Sequence, residues 1–125
     1  LKAQADGANY FEVYGTGSPI REWVPASEVA IATKIVIDSE FDAPPILNFS
    51  IGFHESIWDT TKRIKRLIGY KGKLQKNEQY VDGANVKILN SDLFKKSFSK
   101  YINTSDIDIE TLKCINYYRE KIQYD

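Results

Sequence analysis

Between residues 15 and 19 the chain reads Gly15-Thr16-Gly17-Ser18-Pro19, and no regular element can run through it. Two glycines free the backbone from Cβ restraint, and Pro19 has no N–H to give to a ladder. The preceding Phe11-Glu12-Val13-Tyr14 alternates β-formers, so a strand over 11–14 has to end in a tight turn here. A second short extended stretch, 20–24, leaves the turn and is closed by Pro25. From there on, strand-like runs alternate with helical ones.

Ser27 is placed to cap a helix over 28–37, with Val29, Ile31, Ala32, Ile35 and Val36 on its apolar side. Asp42-Ala43-Pro44-Pro45 breaks the chain, and 46–50 reads as a buried strand ending near Gly52. Ser56 caps the next helix, 57–68, whose Ile57, Thr61, Ile64, Leu67 and Ile68 recur at spacings of three and four before Gly69 stops it. An edge strand is expected over 72–76, a polar loop over 77–85 centred on Asp82-Gly83, and a short strand over 86–89. Ser91 or Asp92 opens a short helix through Phe98. The last helix, 108–123, lines up Ile109, Leu112, Ile115, Tyr118 and Ile122, and Cys114 reads as a small buried side chain within it. The pattern predicts an α/β (α+β) fold, a small mixed sheet with packed helices.

The 125 residues allow one domain, 1–125, and the apolar share of 42% can supply its core. Lys plus Arg (17) balance Asp plus Glu (17), so no global field draws the chain to nucleic acid or an anionic membrane. No apolar run approaches the roughly 18 residues of a membrane span. One Cys and one His exclude an internal disulfide and a Cys/His zinc site, which suits a reducing, cytoplasmic setting. The sequence has no Met, and 1–7 reads as the tail of a helix ending at Gly7, so we expect a piece of a longer protein.

Several features could carry chemistry. The stretch 62–76 holds Lys62, Arg63, Lys65, Arg66, Lys71, Lys73 and Lys76 with no acid among them. Two readings stand open: a phosphate-contacting face for RNA or another polyanion, or the solvated back of an amphipathic helix. His54-Glu55 could work as an acid/base pair, or His54 could simply be an exposed loop residue. Tyr117 and Lys121 form a literal Tyr-x-x-x-Lys, but a chain with eight Tyr meets this spacing by chance, and no Gly-rich phosphate loop precedes it. No dinucleotide fingerprint, Walker loop or nucleophile elbow occurs. We assign no catalytic, cofactor-binding or metal-binding residue to this chain.

The run from Val13 through Tyr14-Gly15-Thr16-Gly17-Ser18-Pro19-Ile20-Arg21-Glu22 to Trp23, followed by Glu28-Val29-Ala30, has a further meaning. With Leu47-Asn48, Ser56-Ile57, Ile68-Gly69-Tyr70-Lys71-Gly72, Asp82-Gly83 and Lys87-Ile88-Leu89 in order, it resembles the C-terminal lobe of extended short-chain dehydrogenase/reductases (SDRs), the NAD-dependent epimerase/dehydratase family. The resemblance covers about residues 1–89. It implies the substrate-binding lobe of a nucleotide-sugar epimerase, dehydratase or reductase, without its Rossmann domain. NAD or NADP would be held by that missing N-terminal domain, and the chain alone would be inactive. The implied partners are a nucleotide-diphosphate sugar, the missing domain and a second copy in a homodimer.

By the same resemblance Tyr14 packs on the nucleotide base or ribose, and Arg21 contacts the diphosphate or ribose. Tyr80 stands in the substrate site where a branch of the family carries a phosphate-binding Lys. From the residues alone, Tyr14 is a strand residue and Arg21 a surface ion-pair partner. The chain departs from the family pattern at Pro25-Ala26-Ser27-Glu28, where an aromatic is lost and an Asp becomes Glu28, at Ser50 in place of a Gly, and at Val86 in place of a basic residue. With its usual domain partner absent, the region 10–24 should leave apolar groups bare.

Overall fold

The computed structural model describes residues 1–40 and 42–121. A single helical turn, α1 (Lys2–Ala5), leads into β1 (Tyr10–Tyr14), β2 (Ile20–Glu22), α2 (Ala26–Ile37), β3 (His54–Ser56) and α3 (Ile57–Ile68). There follow β4 (Lys73–Asn77), β5 (Val86–Lys87), α4 (Asp92–Ser97) and α5 (Ile107–Lys121). The α/β reading holds, but the strands form two sheets. β1 pairs in parallel with β4, from Tyr10 opposite Lys73 to Tyr14 opposite Asn77. β2 lies between β3, antiparallel, and β5, parallel, so this second sheet is the mixed one.

α3 forms as its sequence dictates. Ser56 Oγ accepts the Asp59 N–H at 3.0 Å, and Gly69 takes the left-handed conformation (φ +71°) that closes the helix. α2 starts two residues earlier than expected. Pro25, in extended conformation, occupies the N-cap position without a side-chain bond, and its fixed φ suits the entry to a helix. Ser27 is inside the helix, its hydroxyl 3.5 Å from Glu110 Oε2.

The core sits between α2 and α4. Ala32, Phe94 and Phe98 are buried together, with Ile35, Val36, Leu47, Phe49 and Tyr101 packed on them. Phe49 meets Phe94 edge-on, centroids 4.8 Å apart. The segment 46–50 is therefore not a strand: Ile46 is 80% exposed, while Leu47 and Phe49 turn toward the helices. Pro44 and Pro45 deprive its entry of ladder donors, and β3, at 54–56, takes the edge of β2 instead.

Glu28, the departure from the family's Asp, is buried at the start of α2. It accepts hydrogen bonds from Tyr101 and Ser105, which tether the segment 98–106 to that helix. These hydroxyls, Ser105 first, hold its carboxyl below the ordinary value. Burial and the neighbouring Glu28 drive the Tyr101 phenol well above the usual range. Ser50 is buried too; it donates to Glu22 and accepts the Gly52 N–H at 2.8 Å.

α5 docks through ions more than through its apolar stripe. Arg63 donates from Nε and Nη2 to Glu55 Oε1 at 2.9 and 2.6 Å, and from Nη1 to Thr111 Oγ1 at 2.6 Å. Arg66 reaches Asp108 at 2.5 Å. Of the expected face Ile115 is buried and Leu112 half-buried, Ile109 and Tyr118 are exposed, and Ile122 lies outside the described residues. Cys114 is exposed, correcting its buried reading, because the helix is turned so that its neighbour Ile115 faces inward. Tyr10, Phe11, Tyr14 and Trp23 stand exposed, as expected of the region 10–24.

Candidate functional site

The turn after β1 is built around two glycines with positive φ. A Cβ on Gly15 (φ +80°) would fall 2.1 Å from Asp82 Oδ1, so only glycine lets the Asp82 carboxylate approach. That carboxylate accepts the Thr16 N–H at 3.0 Å and the Thr16 hydroxyl at 2.5 Å. On either side, Gly15 N–H donates to the Asn77 carbonyl at 2.9 Å and Ile20 N–H to that of Asn85 at 2.7 Å. The loop 78–85 is thus fastened to the glycine turn at its beginning, middle and end.

This fastening gathers the residues singled out in the sequence. Tyr80, on the loop, stacks on Tyr14 at the end of β1, with centroids 4.0 Å apart and planes inclined by 17°. A hydrogen bond to Tyr80, then the charge that phenol would carry, raises the Tyr14 phenol above its ordinary value. Arg21, on β2, reaches the other end of the same loop and donates from Nη1 to the carbonyls of Ile20 at 2.7 Å and Ala84 at 2.9 Å. Among the described residues Arg21 has no carboxylate partner, and its positive charge remains to be matched. Asp82 and Ala84 connect the two halves of the site, the aromatic pair and the guanidinium.

Sequence reasoning missed Lys87. Register places it directly across from Arg21 on β5, exposed and without an ion pair among the described residues. The family pattern has its base one position earlier, at Val86. Only the parallel pairing, which joins two segments far apart in sequence, identifies Lys87 as the neighbour of Arg21.

The other sequence candidates are drawn into structure. His54 Nδ1 lies 3.2 Å from the Gly52 carbonyl, whereas Glu55 is engaged by Arg63, so the two do not act as a pair. In the basic stretch, Lys62 pairs with Asp59 at 2.5 Å, Arg63 with Glu55 and Arg66 with Asp108. Lys76 lies over the Trp58 ring, 5.1 Å from its centroid. Three of the seven cations are thus ion-paired within the fold, and a fourth rests on an aromatic ring.

The glycine turn at 15–19 does not have the form of a dinucleotide cradle. In a dinucleotide cradle a glycine turn opens onto a helix N-terminus. Here the turn runs into a strand, β2, and its space is filled by Asp82 at Gly15 and by Trp58 Cβ, 3.0 Å from the place of a Gly17 Cβ. No cluster of His, Cys, Asp or Glu able to hold a metal occurs among the described residues. None of the described helices is long and apolar enough to cross a membrane.

No family model matches the chain. It is 29% identical over 90 residues to GDP-L-fucose synthase 1 of Arabidopsis thaliana, a match covering 72% of this chain and 28% of that protein. The crystal structure of a GDP-L-fucose synthetase from Naegleria fowleri bound to NADP superposes with a TM-score of 0.82 at 20% identity, over 96% of this chain and 37% of that one. UDP-glucuronic acid 4-epimerase from Bacillus cereus, in complex with UDP-glucuronic acid and NAD, gives a TM-score of 0.77 at 11% identity, over 98% of this chain and 39% of that one.

Fold and sequence point the same way: the chain resembles a C-terminal part of the extended SDRs, the NAD-dependent epimerase/dehydratase family. Within that class its sequence is similar to the GDP-L-fucose synthases. It spans little more than a quarter of the length of the curated relatives it matches.

Proposed function

We propose that residues 1–125 form a single substrate-binding unit of an NAD(P)-dependent enzyme that epimerises, dehydrates or reduces a nucleotide-diphosphate sugar. The observation that carries this reading is the convergence of Tyr14, Tyr80 and Arg21 on the loop 78–85. Tyr14 offers an aromatic face to the base or ribose. The Arg21 guanidinium, held in place by two carbonyls through Nη1, keeps its remaining N–H groups for phosphate oxygens. Lys87 adds a second cation beside it. NAD or NADP, bound to an N-terminal Rossmann domain outside this chain, supplies the hydride chemistry, and the chain alone turns nothing over. A cytoplasmic location suits the exposed thiol of Cys114. A homodimer would cover part of the apolar surface around Tyr10 and Phe11.

Calorimetric titration of the 125-residue chain with nucleotide-diphosphate sugars and with the free sugars tests this. Binding that needs the nucleotide, and that falls about tenfold in Arg21→Ala, is expected for loss of one charge-assisted contact. Equal binding of free sugar overturns the site. Oxidation or reduction of NAD(P)(H) by the chain alone overturns the division of labour.

A further inference from the structure

The Tyr14–Tyr80 stack has a property that a merely structural aromatic pair lacks: both rings lie at the surface. Tyr14 is 62% exposed and Tyr80 49% exposed. A stack formed for stability would bury its faces among apolar neighbours, yet these two rings, stacked and hydrogen-bonded to each other, stay about half open to solvent or more. The backbone on either side is anchored, by the Tyr80 N–H to the Asn77 carbonyl at 3.3 Å and by Asp82 to Thr16. The Tyr80 ring can therefore swing about its own side-chain bonds while the loop stays fastened.

Resting on the substrate-binding reading above, we propose that Tyr14 and Tyr80 are the two jaws of an aromatic clamp that opens to take a purine base of a nucleoside diphosphate between them. In the structure the jaws are closed on each other. Admitting a base means widening the centroid separation from 4.0 Å to about 7 Å, the span of two stacking layers. The base then restores, on both of its faces, the contact the two rings lose.

Charge supports the same conclusion. Tyr80 carries none, so phosphate recognition falls to Arg21 and Lys87 across the loop. Binding here draws more on the base and less on the diphosphate, and a bicyclic purine covers two phenol rings better than a pyrimidine does. Tyr80 is thus a specificity-determining residue for the base.

The test titrates the 125-residue chain with GDP, UDP and inorganic pyrophosphate, and repeats it for Tyr80→Ala, Tyr80→Phe and Tyr14→Ala. We expect GDP to bind more tightly than UDP or pyrophosphate. Tyr80→Ala should weaken GDP about tenfold, as loss of one stacking face implies, and leave pyrophosphate unchanged. Tyr80→Phe should retain most of the affinity. Upfield shifts of both tyrosine ring signals on adding GDP give a readout that a structural role would not produce. If Tyr80→Ala binds GDP as well as or better than the native chain while Tyr14→Ala binds it worse, the clamp is wrong and the substrate-binding reading stands. If neither substitution alters binding and GDP is not preferred to pyrophosphate, that reading falls as well.

Discussion

Asp82 holds Thr16 by both its backbone and its side chain, accepting the N–H at 3.0 Å on one carboxylate oxygen and the hydroxyl at 2.5 Å on the other. One residue thereby ties the turn after β1 to the loop that carries Tyr80. Replacing Asp82 with Ala should release the loop without unfolding the chain. We expect the Tyr14–Tyr80 contact to weaken and nucleotide affinity to fall about tenfold, with a stability loss of about 1–2 kcal/mol. Calorimetry and urea denaturation of the same variant separate the two effects.

Gly15→Ala addresses the other side of that contact. The added methyl would occupy the position of Asp82 Oδ1, at a φ that alanine adopts unwillingly. A loss of about 1–3 kcal/mol is expected. Part of it should vanish in the Gly15→Ala, Asp82→Ala double variant, since the clash disappears while the backbone strain remains. Additive losses in urea denaturation would mean that the carboxylate is not what excludes a side chain at 15.

Glu28 predicts an acid limb of stability. Its carboxyl is held below the ordinary value by Ser105 and Tyr101, so the unfolded chain binds its proton more readily than the folded one. The resulting stabilisation is complete above the ordinary carboxylate value of about 4.3 and is lost as pH falls through the lower folded value. Glu28→Gln should flatten this limb. Glu28→Ala should cost about 1–3 kcal/mol near neutral pH by leaving two hydroxyls without their acceptor. Thermal unfolding as a function of pH checks both.

Arg63 and Glu55 are largely buried, their side chains 12% and 15% exposed. Arg63→Met alone strands a buried carboxylate, and a loss of about 3–5 kcal/mol is expected. Pairing it with Glu55→Gln should recover much of that loss. A comparable loss for the double variant would assign the effect to the other contacts of Arg63, its hydrogen bond to Thr111 and its packing on Phe53 with the ring centroid 5.5 Å away, in place of the pair with Glu55.

How much of this was legible in the sequence differs by the range of the interactions. α3 was readable because its start and stop signals, Ser56 and Gly69, act within a few residues of the helix. The glycine turn was readable for the same reason. The segment 46–50 was misread because an apolar run is the same whether it packs into a sheet or onto helices. What decides is that β3 takes the edge of β2, which no local pattern reveals. Cys114 was misread because the orientation of α5 is set by Arg63 and Arg66, far from it in sequence. In the candidate site, Tyr14, Arg21 and Tyr80 were visible only through likeness to a family, whereas Lys87 and the grip of Asp82 on Thr16 needed the parallel strand pairing.

Thr16 and Asp82 stand 66 positions apart, and both parallel pairings, β1 with β4 and β2 with β5, close comparably long stretches of chain. Contacts of such long range form late, because the entropy of closing the intervening loop is lost before the contact is gained. α3, with local signals at both ends, can form first and bring β4 back toward β1. The proposed nucleotide site is then among the last parts of the molecule to assemble, and a nucleotide bound there would report the completion of folding.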